Sequence, residues 1–112
     1  MKLTAGAQLF RGISDRTRIR ILNALAQVPK LTGTNLADLL RRPRSTVVRH
    51  LKYLYRSHLL SIEHSSNEAL YALRNPDDPF VRDVMRYVVR RLSRLDGLEK
   101  DNRVLKSFRR AQ

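Results

Sequence analysis

Apolar and polar positions along this chain follow two rhythms, one helical and one of strict alternation. The helical rhythm is clearest from Ser45 to Ser57, where Val47, Leu51 and Leu54 recur at i, i+4 and i+7 and so stack on one face. Ser45, Arg49, Lys52 and Arg56 fall on the opposite side at similar spacing. A helix here carries one face for a core and one cationic, hydrogen-bonding face. Upstream, Leu3, Ala7 and Phe10 give a weak helical period over residues 1–11, too short to stand without a surface to dock on. Ile19, Leu22, Leu25 and Ala26 predict a helix over 15–28, with Asp15 as N-cap and Pro29 as stop. Leu31 to Thr34 reads as a short extended or turn stretch. Leu36, Ala37, Leu39 and Leu40 then predict a third helix, capped by Thr32 or Thr34. Pro43 breaks it, because the residue before a proline avoids the helical region, and Ser45 is placed to cap the helix that follows.

Two short helices with a tight turn between them, spanning 32–57, make the helix-turn-helix layout. Alternation takes over in Leu59–His64 and Ala69–Arg74, on either side of the polar turn Ser65-Ser66-Asn67-Glu68, in which Asn67 is suited to positive φ. A hairpin over 59–74 directly after the cationic helix makes the motif winged. Asn75 to Pro79 breaks the pattern again, with Asp78 as N-cap and Pro79 at the first helical position. Phe80, Val84, Tyr87, Val88, Leu92 and Leu95 form an apolar stripe on a helix over 79–96. The preceding helices already supply a core of this size, so the stripe predicts a surface shared with a second subunit. Gly97 ends that helix, and Leu98, Leu105 and Phe108 predict a frayed or partner-dependent helical tail over 98–112. The expected fold is mainly α with a small β-hairpin, one winged helix-turn-helix domain over 1–112.

Charge sharpens this reading. The 112 residues hold 23 Lys and Arg against 10 Asp and Glu, a formal +13, and such an imbalance costs self-repulsion unless a polyanion is near. From Leu39 through Ile62 there is no acidic residue, while Arg41, Arg42, Arg44, Arg49, Lys52 and Arg56 all fall there. Nucleic acid is the expected partner. The cations are spread over several segments without a lipidation signature, which argues against a membrane surface. The start lacks the apolar run of a signal peptide and no stretch of some 18 apolar residues occurs, so a cytoplasmic protein is expected. There is no cysteine, which excludes disulfides and thiolate metal sites from its own side chains. Enzyme readings lack their parts: no nucleophile with its base, no Gly-rich phosphate loop with its lysine, no paired carboxylate framework.

With the elements in this order, the chain resembles the ArsR/SmtB-type family of small dimeric winged-helix repressors. Phe10 to Leu25, with Ile13-Ser14-Asp15-Arg16-Thr17-Arg18 and the run Ile19-Arg20-Ile21-Leu22, is similar to the family's opening motif, with Arg16 where proline is usual. Ser45-Thr46-Val47-Val48-Arg49-His50-Leu51-Lys52 resembles its recognition-helix pattern S-x-V-S-x-H-L, with Val48 where serine is frequent. The hairpin with Tyr71 resembles its wing, although the tip lacks the usual Arg or Lys. Residues 10–74 carry this likeness. The resemblance implies dimerisation through the first and C-terminal helices, hence through Leu3, Phe10, Phe80, Val84, Tyr87, Val88, Leu92 and Leu95. It also implies a member that senses no metal. Thr32, Gly33 and Thr34 stand where metalloid sensors have Cys-Val-Cys, and no histidine lies between Pro79 and Gln112 to act as a zinc ligand. No cofactor is expected.

On the cationic helix, Arg49 is the candidate for base reading, since a guanidinium can bond bidentately to guanine; a phosphate contact is its alternative. Ser45, Thr46 and the free amides at that helix's start are placed to hold a phosphate oxygen, with Arg44 and Lys52 on either side and Arg56 further along. His50 lies at the edge between the two faces, suited either to DNA or to a structural hydrogen bond. His58 stands where relatives commonly have glycine and predicts a left-handed helix end. Tyr53 and Tyr55 are expected to be partly buried. The expected function is a homodimeric regulator, a repressor by resemblance, on duplex DNA of approximate two-fold symmetry; its effector is not named by the sequence. The alternatives are a winged-helix module for protein or RNA, and an architectural DNA-binding protein of low specificity.

Overall fold

Residue 21 to residue 25 are all buried, five in a row, and a helix with no solvent side must be packed from every direction. That helix is the centre of the computed structural model, which describes residues 3–110. In chain order the elements are α1 (Leu3–Gly12), α2 (Arg16–Gln27), β1 (Leu31–Thr32), α3 (Gly33–Leu40), α4 (Arg44–Arg56), β2 (Leu60–Ser65), β3 (Glu68–Leu73), α5 (Pro79–Arg91), a short 3-10 turn (Leu92–Arg94) and α6 (Glu99–Arg110). The central helix is α2, against which α3, α4, α5, α6 and β3 all pack. No helix among the described residues is long and apolar enough to cross a membrane.

Local chemistry explains most of the boundaries. Asp15 accepts the Arg18 amide and starts α2, and Asp78 accepts the amides of Phe80 and Val81 with Pro79 at the first turn of α5. Thr32, not Thr34, caps α3: its hydroxyl accepts the Asn35 amide while the Asn35 side chain accepts the Thr32 amide. At the end of α4, His58 takes φ +63°, its amide bonds to the Tyr55 carbonyl and the Leu59 amide to that of Leu54. This pair of bonds satisfies two carbonyls at the helix end and turns the buried Leu59 back onto the core. The hairpin pairs Leu60 with Leu73 and Ser65 with Glu68, and β1 joins it, Leu31 opposite Tyr71, so the sheet has three strands in the order β1-β3-β2.

Four expectations change. Pro43, not Ser45, precedes α4, and no side chain caps it, since the chain enters the helix two residues earlier than serine capping would require. At the wing tip the left-handed residue is Ser66 (φ +51°) rather than Asn67. The helix from Pro79 stops at Arg91 instead of running to 96, because the chain tightens, turns extended at Leu95 and reverses at Gly97 (φ +101°). The reversal lays the last segment back on the domain, so residues 98–110 are no frayed tail. Leu98 and Leu105 are buried, and Phe108 packs against the core.

That last helix is held by polar contacts as well. Asp101, almost fully buried, receives two hydrogen bonds from Arg20, Nε at 2.7 Å and Nη2 at 2.9 Å. Asn23 and Gln27 of α2 both donate to the Asn102 side chain, which donates in turn to the Ser93 carbonyl. No buried side-chain polar atom among the described residues is left without a partner.

Candidate nucleic-acid interface

The apolar stripe of α4 is spent inward: Val47, Leu51 and Leu54 are each 0 % exposed. Everything the sequence placed on the other face is left to solvent. Arg44, Ser45, Arg49, Lys52 and Arg56 are exposed, and none of the four cations makes an ion pair among the described residues. Thr46 is half-buried in the first turn. With no side chain capping that turn, its amides remain free to bond an anion, the arrangement by which helix N-termini hold phosphates. Val48, where serine was noted as usual, turns partly inward toward Gly33, whose missing Cβ would sit 3.6 Å from it.

His50 is set apart from this face. Its Nδ1 lies 3.3 Å from Arg18 Nη1 and 3.9 Å from the Asp15 carboxylate. Burial lowers its pKa below the usual 6.5, and the guanidinium groups of Arg18, Arg49 and Arg42 push the same way against the pull of Asp15. On Asp15, burial works upward, but the amide of Arg18 and the nearby His50 and Arg18 bring its pKa to a net decrease. The ring therefore serves the junction of α2 and α4.

Arg18 is the residue that sequence reasoning missed. Its guanidinium donates to the carbonyls of Gly12 and Arg11, meets His50, and lies 4.2 Å above the Tyr53 ring, tying α1, α2 and α4 together. It sits inside the quoted opening motif, yet no periodicity distinguishes a packing arginine from a solvated one. Tyr53 is partly buried beneath it; Tyr55 is 48 % exposed. The wing tip, Ser65 to Glu68, is exposed and carries no Lys or Arg.

A second surface lies across α1 and α5, which pack together. Phe10 and Phe80 meet edge to face, centroids 6.4 Å apart, yet both stay exposed, as do Leu3 and Tyr87, at 86 % and 59 %. Val84 and Val88 are half-buried. Two expected members leave this face. Leu92 belongs to the protomer's own core, and Leu95 lies past the end of α5, lining a cavity with Ile19 and Leu98. The inward positions of α5 are Val81 and Met85, one residue out of phase with the predicted stripe. Its apolar surface is thus wider than one partner needs, and the half turned outward is uncovered in a single chain.

Among the described residues no cluster of three or more His, Cys, Asp or Glu side chains is arranged to hold a metal ion.

Residues 15–61 match the sequence profile of bacterial regulatory proteins of the arsR family. No curated protein sequence matches the chain. Among solved structures, reduced HlyU from Vibrio cholerae superposes with a TM-score of 0.66 at 21 % identity, covering 84 % of this chain and 90 % of that one. NolR from Sinorhizobium fredii gives 0.63 at 19 % identity over 84 % and 86 %. The transcriptional repressor PagR of Bacillus anthracis gives 0.62 at 26 % identity over 77 % and 94 %. The first two speak for the fold alone. These structures share the winged helix-turn-helix fold of this chain, and PagR is described as a transcriptional repressor.

Proposed function

We propose that this chain, which carries the helix-turn-helix of the ArsR family, is a cytoplasmic transcriptional repressor that binds duplex DNA as a homodimer. The observation that carries the reading is the outer face of α4, where four cations stand exposed and, among the described residues, without an ion pair around free helix-terminal amides, while the opposite face is sealed in the core. Laid in a major groove, such a helix offers Arg49 to base edges and Arg44, Ser45, Thr46 and Lys52 to phosphates. Arg56 extends the charge along the helix. The repressor assignment is supported by the likeness to PagR, described as a transcriptional repressor.

The dimer is supported by the aromatic surface of α1 and α5, since side chains as large as Phe10, Phe80 and Tyr87 rarely stay together in water without a partner. A two-fold dimer presents two α4 helices and calls for half-sites about one helical turn apart. Selection of bound sequences from random duplexes tests this. The expected product is an inverted repeat; Arg49→Ala erodes base preference at one position per half-site, and Lys52→Ala weakens all sequences alike. Recovery of a single unpaired half-site, or silence of both substitutions, rejects the reading.

A further inference from the structure

We infer that α6 is a second DNA-contacting element, which grips the phosphate backbone outside the sequence read by α4. The inference rests on the DNA-binding reading above and extends its footprint.

Arg20 provides the geometry. Its guanidinium holds Asp101 of α6 with two nitrogens and, with Nη1, the Leu40 carbonyl at the end of α3 at 3.3 Å. One side chain thus fixes α6 against the very turn, Arg41 to Pro43, that leads into α4. Along this junction run two shallow grooves. One is lined by Arg41, Lys100 and Arg103, the other by Arg16 and Arg42, and Arg20 lines both. Arg16, Arg41, Arg42, Lys100 and Arg103 are exposed, and none forms an ion pair among the described residues.

The carboxylates nearby offset only part of this charge. Asp101 is paired with Arg20, whereas Glu99, which accepts only the neutral Gly97 amide, keeps its charge. Asp96 also lines the second groove, so among the described residues five exposed cations, Arg16, Arg41, Arg42, Lys100 and Arg103, face the unpaired carboxylates of Asp96 and Glu99. The cationic strip is continuous with the DNA face, since Arg42 in the groove and Arg44 at the first position of α4 are two residues apart. A surface with a strong excess of positive charge, continuous with a recognition helix, fits a polyanion that runs past it, and duplex DNA beyond the half-site is the polyanion already there. Because α6 presents charge and no base-reading geometry, it adds affinity without adding sequence preference.

The test uses the full chain and a duplex of about 30 base pairs centred on the selected site, beside one trimmed to the half-sites. Lys100→Ala with Arg103→Ala removes four cations from a homodimer and is expected to weaken binding to the long duplex roughly tenfold or more and to reduce the slope of log affinity on log salt by about 4, roughly one unit per lost phosphate contact. Base preference and binding to the trimmed duplex stay as in wild type, and so does the melting temperature, both side chains being exposed. Lys100→Arg with Arg103→Lys keeps wild-type binding. Unchanged affinity and slope on the long duplex overturn the inference while Arg49-dependent recognition stands. An equal loss on both duplexes, or stronger competition by RNA than by the long duplex, also overturns it. A wild-type protein that binds no duplex removes both readings together.

Discussion

Replacing Asp101 by alanine tests whether the last helix is part of the domain. The carboxylate is 6 % exposed and takes two hydrogen bonds from a guanidinium that keeps 26 % of its surface in water. Breaking a fully buried pair costs about 3–5 kcal/mol, because the surviving charge is stranded. Here Arg20 retains the Leu40 carbonyl and some solvent, so a cost of about 2–3 kcal/mol is expected. For a domain of this size that corresponds to a fall of about 10–15 °C in melting temperature, measured by circular dichroism at fixed protein concentration, since self-association would make stability depend on it. The companion variant, Arg20→Met with Asp101→Leu, replaces the pair by apolar side chains and is expected to recover most of the loss. A loss below about 0.5 kcal/mol for Asp101→Ala is what an exposed pair gives, and would refute the packing of α6 described above.

Three further outcomes follow from other contacts. Gly12→Ala puts a Cβ 2.8 Å from the buried Leu59 Cδ1, and the strain outweighs the gain in helix propensity, for a net loss of about 1 kcal/mol in urea denaturation; a stabilised variant contradicts the close approach of α1 to the core. The folded state holds the His50 pKa below 6.5, so its neutral form is favoured there, and the stability present above pH 6.5 is lost as pH falls through the folded value; Asp15, also lowered, adds a second loss below about 3.8. His50→Gln should flatten the upper of these two steps in melting temperature against pH, and an unchanged profile excludes His50 as its source. If the proposed dimer forms through α1 and α5, Phe10→Glu with Tyr87→Glu is expected to shift the protein to a 13.1 kDa monomer in sedimentation and to weaken operator binding about a hundredfold or more, whereas sedimentation identical to wild type would contradict a dimer through this surface.

Legibility followed the range of the forces involved. The α4 helix was readable because both its faces are written at one period: Val47, Leu51 and Leu54 went inward and the cations outward, as local spacing alone requires. Caps such as Asp15 and Asp78 act within three residues and were equally plain. The stripe on α5 was read one residue out of phase because that helix is apolar on two sides, and only the position of α2 shows that Val81 and Met85 face it and that Leu92 joins them. In the last segment the apolar period Leu98, Leu105, Phe108 is interrupted by Asp101 and Asn102, which looks like fraying until Arg20, Asn23 and Gln27 stand opposite.

By itself, then, the order of residues determined most of the helices, the wing and the cationic face, since each depends on periodicity or turn chemistry. Tertiary structure decided which apolar faces are shared within the chain and which remain uncovered, which arginines are structural and which are free, and that α6 belongs to the domain. Those outcomes depend on pairs of residues as far apart as Arg20 and Asp101, whose meeting is a property of packing and leaves no mark on either local sequence.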